Sequence, residues 1–254
     1  MEIRLRAMTC GWLTGSLAGF LEGEHGTIKV PVPAYLIEHP RGKIVFDTGM
    51  HPDAQRDPAG RLGPAAASVF TVDFRPGEDV AARLAVLGCD PADIRTVINS
   101  HLHFDHTGGN ALFPNATFLH QRAEWNAGRE PDLVESNFFD PHDYDLGQDV
   151  RLVDGEHDVF GDGSVVCLPT HGHTPGHQSL HVRLPGGDVV LTADSCYLRR
   201  TLEEMRLPPI CHDRAAALAS LRRLGELRAR GARLLFGHDP EAWASVPQAP
   251  EDVR

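Results

Sequence analysis

A chain of 254 residues has room for a sizeable buried core, in one large domain or two small ones. Its 41% apolar and 23% charged residues are ordinary for a soluble globular protein. A formal net charge of −11, with no Lys/Arg block, argues against nucleic acid as a partner.

Arg4 and Arg6 alternate with apolar residues over 2–8, the pattern of a first strand. The apolar run Ala7–Leu21 that follows is diluted by Thr9, Gly11, Thr14, Gly15 and Ser16, too far for a signal peptide. Residues 9–29 read as a long Gly-rich loop. Val32–Glu38 and Lys43–Asp47 form two strands joined at Pro40-Arg41-Gly42, a hairpin. Residues 50–77 carry Pro and Gly with little periodicity and read as a second long loop, a kind of segment that often has a function. Glu78–Leu87 is helical with Gly88 as its C-cap, and Asp90-Pro91 starts a short helix. Thr96–Ile98 and Asn115–His120 are strands, and a helix follows near Arg122–Gly128. Residues 129–149 read as acidic and irregular. Strands follow at Val150–Val153, Val165–Leu168, Ser179–Leu184, Val189–Thr192 and Leu234–Phe236. Asp213 caps a long helix to about Arg230, whose Ala216, Leu218, Leu221, Leu224 and Leu227 form a core-facing stripe.

Strand-rich blocks alternate with isolated helices in each half. That order predicts two sheets packed face to face with helices outside. No Pro/Ser linker divides the chain, so 1–254 is taken as a single domain. No stretch approaches the ~20 apolar residues of a membrane span. Five cysteines, an odd number without a CxxC pair, fit a reducing compartment, and the expected location is the cytoplasm.

The 15 histidines cluster in two short stretches. The first is Ser100-His101-Leu102-His103-Phe104-Asp105-His106-Thr107-Gly108-Gly109, at a strand's end before a Gly-rich turn. Imidazole and carboxylate are natural ligands of zinc and other first-row divalent metals. Alternation aims His101 and His103 the same way, toward one ion, while Asp105 and His106 lie where the chain turns and can reach a second. Three more strand ends supply candidates: His173 within Thr170–His177, Asp194 after Leu191-Thr192-Ala193, and His238 after Phe236-Gly237.

This set resembles the metallo-β-lactamase superfamily, whose signature is HxHxDH followed by a distant His, an Asp and a last His. The resemblance runs from Asp47-Thr48-Gly49, matching a strand-end DTG motif, to His238. It implies an α/β (α+β) fold, an αββα sandwich of two mixed β-sheets flanked by helices. It also implies two divalent ions per chain, zinc first, with manganese, iron or cobalt accepted by the same ligands. His101, His103 and His173 would hold one ion, and Asp105, His106 and His238 the other. Asp194 would bridge, and Asp47 would hold ligand histidines in place. His101–Asn110, His173–Leu180 and the Asp194…Tyr197 spacing look like the N-acyl-homoserine lactonase branch. In that branch the Tyr helps hold the substrate carbonyl, and the two long loops wall the acyl-chain pocket. The resemblance also points to a homodimer.

The implied reaction is opening of a lactone by a metal-bound hydroxide, because two cations sharing a water lower its pKa from 15.7 to roughly 7. Asp105 is the proton carrier and Tyr197 the carbonyl donor. Within the fold the alternatives are another lactonase or esterase and a glyoxalase II-like thioesterase. The sixteen residues after His238 count against the thioesterase, which usually adds a C-terminal helical region. A β-lactamase is a weaker fit, because true β-lactamases use a Cys where Asp194 stands, and the net charge disfavours nucleases. A non-enzymatic alternative is a metal-dependent signal-binding module. His171 and His177 are expected not to be ligands, His177 being a buried, hydrogen-bonded residue. His120 reads as structural or partly exposed and Cys196 as packing. His25, His39, His51, His142, His157, His181 and His212 default to the surface.

Overall fold

A computed structural model describes residues 2–254. The strands in chain order are β1 (Arg4–Ser16), β2 (Thr27–His39), β3 (Gly42–Phe46), β4 (Thr71–Asp73), β5 (Thr96–Ile98) and β6 (Thr117–Gln121). They continue with β7 (Val150–Val153), β8 (His157–Asp158), β9 (Val165–Pro169), β10 (Gln178–Leu184), β11 (Gly187–Ala193) and β12 (Arg233–Phe236). One sheet has the order β4-β1-β2-β3-β5-β6-β7 and the other β12-β11-β10-β9-β8. Both are mixed: β1, β2 and β3 pair antiparallel while β3, β5, β6 and β7 run parallel, and only β12 runs parallel in the second sheet.

Period-two alternation sorts each strand's side chains between layers. From β2, Tyr35 and Ile37 point to the second sheet, where Cys167, Leu180, Val182 and Leu191 complete the central core. Val32, Ala34 and Leu36 point outward, under Val80 and Leu84 of helix Val80–Val86. On the far side, Val190 and Leu234 pack beneath Ala217, Leu221 and Leu224 of helix Arg214–Ala229, capped by Asp213 accepting from the Ala215 and Ala216 amides. The layers are therefore helix, sheet, sheet, helix, as expected. Among the described residues no helix is long and apolar enough to cross a membrane.

The segments expected to be irregular are not. Residues 9–29 continue β1 to Ser16, turn through a short helix and begin β2 at Thr27. Gly11 marks a bulge in a strand rather than a loop: pairing with β2 shifts between Thr9 and Trp12, and Gly11 has φ +96°. Residues 50–77 hold a helix over Pro58–Val69, kinked at Gly63-Pro64, and strand β4. None of that helix's residues is buried, so it carries no apolar stripe to read. Residues 129–149 contain helices Pro131–Ser136 and Pro141–Tyr144, each begun by a proline and too short for periodicity to show. Helices Arg199–Glu203 and Pro240–Trp243 and strand β8 were also not legible.

Candidate metal centre

β3, β5, β9, β11 and β12 end at one edge of the sandwich, and each delivers a residue there. Asp47 follows β3 directly and takes φ +57°; Ala193, before Asp194, takes φ +44°. Both are sparsely populated conformations for non-glycine residues. They turn the chain sharply so that each carboxylate faces back into the site.

The structure brings together all seven expected ligand residues, in two groups. His101, His103, His173 and Asp194 form one; Asp105, His106 and His238 form the other. Asp194 stands between them. Its Oδ2 lies 3.6 Å from His101 Nε2 and 3.3 Å from His173 Nε2. Its Oδ1 lies 3.1 Å from both His106 Nε2 and His238 Nε2. Asp105 Oδ2 closes the second group at 3.7 Å from His106 Nε2 and 3.6 Å from His238 Nε2. His103 Nδ1 closes the first at 2.8 Å from His101 Nε2 and 3.1 Å from His173 Nε2. All but His103 are buried. His103 takes its position from the first residue before helix Phe104–Thr107, not from strand alternation.

The opposite ring nitrogens show which atoms are free to ligate. His106 Nδ1 donates to Asp47 Oδ2 at 2.9 Å, and His238 Nδ1 to the Pro31 carbonyl at 2.8 Å. His103 is reversed: its Nε2 donates to the Asn137 carbonyl at 2.7 Å, leaving Nδ1 toward the site. The Ser100 hydroxyl donates to Asp47 at 2.8 Å, so His101 Nδ1 is left to donate to Ser100 Oγ at 2.9 Å. His173 Nδ1 is buried without a partner.

These atoms fit two divalent cations. In tetrahedral coordination with zinc-ligand bonds near 2.0–2.1 Å, ligand atoms sit about 3.3 Å apart, the spacing seen within each group. His106 Nε2 and Asp194 Oδ1 are buried with no well-aligned hydrogen bond. Leaving such groups unpaired is costly, and a cation between them removes the cost. The protonation pattern agrees. Burial drives His101 and His173 well below the usual histidine range, toward the neutral form a ligand needs. Burial also opposes charge on His106, but Asp194, Asp105 and Asp47 together outweigh it and hold its pKa well above normal. Against its own burial, Asp194 is held well below the carboxylate range by His106, His238 and His101. A carboxylate with a cation imposed on it is the behaviour of a site built for positive charge.

Tyr197 is partly exposed, its ring 5.5 Å from His173 and 5.4 Å from His238. Burial and the Asp194 and Asp105 carboxylates keep its phenol protonated, well above its normal pKa. Phe20 sits 5.4 Å from Tyr197 and 5.9 Å from His238, and Phe70 spans the 6.2 Å to Phe20 and 6.3 Å to Phe104. Phe20 thus stands against Tyr197 and His238, with Phe70 behind it against Phe104.

Several other side chains differ from or extend the sequence reading. His177 is fully buried, accepts the Asp194 amide at Nε2 and pairs with Thr170 Oγ1 through Nδ1. Cys196 is core packing. His39 and His181 are buried, not surface residues: His39 stacks on Phe160 at 3.9 Å and pairs with Asp162, and His181 pairs with Asp188. His51 and His157 are half-buried. His120 is fully buried with neither nitrogen paired. Sequence reasoning missed Glu124, a buried carboxylate whose pKa burial raises to about 7 against three hydrogen bonds. Nothing in Arg122-Ala123-Glu124-Trp125 marks it.

The metallo-beta-lactamase superfamily model matches residues 27–238. N-acyl homoserine lactonase AttM of Azorhizobium caulinodans is 37% identical over 239 residues, covering 90% of this chain and 89% of the relative. N-acyl homoserine lactonase AiiA of Bacillus thuringiensis subsp. kurstaki is 32% identical over 228 residues, covering 89% and 88%. Among solved structures, an N-acyl homoserine lactone hydrolase with the product N-hexanoyl-L-homoserine at its catalytic metal centre superposes with TM-score 0.88. It is 28% identical, and both chains are covered completely.

Proposed function

The chain belongs to the metallo-beta-lactamase superfamily, and on that premise we propose that it is an N-acyl homoserine lactonase, a metal-dependent hydrolase of the lactone ester. The observation that carries the reading is Asp194, with one oxygen toward each ligand group and the Tyr197 ring beside His173 of one and His238 of the other. Zinc is our first choice of metal, on the His/Asp donor set; manganese, iron and cobalt suit it too.

His101, His103 and His173 would hold one ion, Asp105, His106 and His238 the other, with Asp194 shared. When bound, such a pair would supply a Lewis acid for the ester carbonyl and would make a bound water acidic enough to attack near neutral pH. The protein's own groups do the rest. Asp47 fixes the tautomer of His106 directly and of His101 through Ser100. Asp105 takes the proton of the attacking water at a carboxylate oxygen and returns it to the ring oxygen as the ester C–O bond breaks. The Tyr197 hydroxyl donates to the carbonyl oxygen as negative charge develops there. Phe20, Phe70 and Phe104 exclude water and give an acyl chain an apolar wall. The free thiols of all five cysteines support a cytoplasmic location.

The test is a pH-stat assay on homoserine lactones of graded acyl length. The reading expects ring opening, with one acid released per lactone, that a chelator abolishes and divalent metal restores. Binding without turnover would instead support the signal-binding module.

A further inference from the structure

Glu124 lies on helix Arg122–Ala127, just past β6, and is 1% exposed. Its Oε1 accepts the Leu102 amide at 3.1 Å; its Oε2 accepts the Thr174 hydroxyl at 2.9 Å and the Gly176 amide at 2.7 Å. No Lys, Arg or His pairs with it among the described residues. Leu102 stands between His101 and His103, and Thr174 follows His173. One carboxylate therefore joins the two segments that supply all three imidazoles of the first ligand group. Gly176 is part of the same fit, since a Cβ there would come within 2.1 Å of the Glu124 amide nitrogen. Among the described residues no hydrogen bond or ion pair joins the second group to Glu124; the His106 segment is held elsewhere, by Thr48 and Asn99 donating to the His106 carbonyl.

We infer that Glu124 is a positioning residue that sets the distance between the His101/His103 segment and His173, and so controls affinity for the first ion alone. This rests on the two-ion reading above. The geometry demands an acceptor at both oxygens. A glutamine keeps the shape, but its NH₂ must face a backbone N–H, of Leu102 or of Gly176, leaving that donor unpaired where water cannot reach it. The two segments would then spread, while Asp105, His106 and His238 keep their places.

The experiment is chelator competition on the metal-loaded parent and on Glu124→Gln, with metal content measured at each step, and thermal melts of both in excess chelator. The parent should release two ions per chain; if it never holds two, the two-ion reading itself fails. Given two in the parent, Glu124→Gln should hold one ion about 10- to 100-fold more weakly, the scale for residues that orient ligands, and the other within about twofold. The metal-free melts should nearly coincide. Equal weakening of both ions, or unchanged affinities with a lowered metal-free melt, would make Glu124 a folding element only. Should Glu124→Gln fail to fold, Thr174→Val, which removes one of the three bonds, is read the same way with a smaller selective loss.

Discussion

The two ligand groups share Asp194 but are held in place by different chemistry. In the second, His106, on helix Phe104–Thr107, leans on a buried carboxylate, Asp47, and His238, two residues past β12, leans on the Pro31 carbonyl. In the first, His101 reaches Asp47 only through Ser100, His103 rests on the Asn137 carbonyl, and His173 has no partner behind it. A charged anchor raises ligand basicity and resists rotation of the ring. Loops without one depend on a tie between them, the place Glu124 occupies. Two sites of similar donors can therefore respond independently to changes in their surroundings.

Asp105→Asn probes the second group hardest, because the same carboxylate is both a ligand and the proposed proton carrier. Turnover should fall by roughly 10²–10⁴-fold, by more than any loss of bound metal measured in the same sample. Near-full turnover with both ions present would leave Asp105 a ligand only. Asp47→Asn should weaken the ion of the second group by about 10- to 100-fold and the first by less, since His101 feels Asp47 through a hydroxyl. A competition titration reading the two ions separately checks this, and a reversed order would contradict the account of the anchors. Tyr197→Phe should leave both ions bound and lower turnover by about one to two orders of magnitude, below the loss from a dedicated oxyanion donor. Steady-state kinetics paired with a thermal melt decide it: unchanged kinetics with a lower melting temperature would place Tyr197 in the core.

His120 is a control for all of them, a histidine buried as deeply as His101 but facing no ligand or anchor. Burial alone pushes its pKa down to about 3. The folded value lies below the unfolded one of about 6.5, so the unfolded chain takes up the proton first as pH falls. The neutral ring therefore costs nothing through protonation above pH ~6.5, and stability is lost progressively between ~6.5 and ~3. His120→Leu should remove this branch. Relative to the parent it should gain about 1.4 kcal/mol per pH unit between pH ~6 and ~3. Urea melts of chelator-treated proteins at several pH values test it, and parallel pH profiles would contradict it.

The residues that gather at the centre were legible because ligation needs particular side chains, and HLHFDH, His173, Asp194 and His238 each stand where an apolar strand stops. Asp47 was legible for the same reason. The carbonyls of Pro31 and Asn137 were not, since every residue has one and only the fold decides which faces a histidine. Glu124 was hidden because its partners are two amides and a hydroxyl far along the chain. The strands of the central core read well from their alternation. β1 beyond Met8 did not, because the glycine its bulge requires looks the same in sequence as a glycine in a loop. The helix Pro58–Val69 had no buried side to betray it.

If seven side chains hold two ions that together open a lactone, divalent metal added stepwise to metal-free protein, with ring opening of an N-acyl homoserine lactone followed and bound ions counted, should bring activity to its plateau at two ions per chain. A plateau at one ion, or two bound ions with no lactone opened, would contradict the two-ion reading.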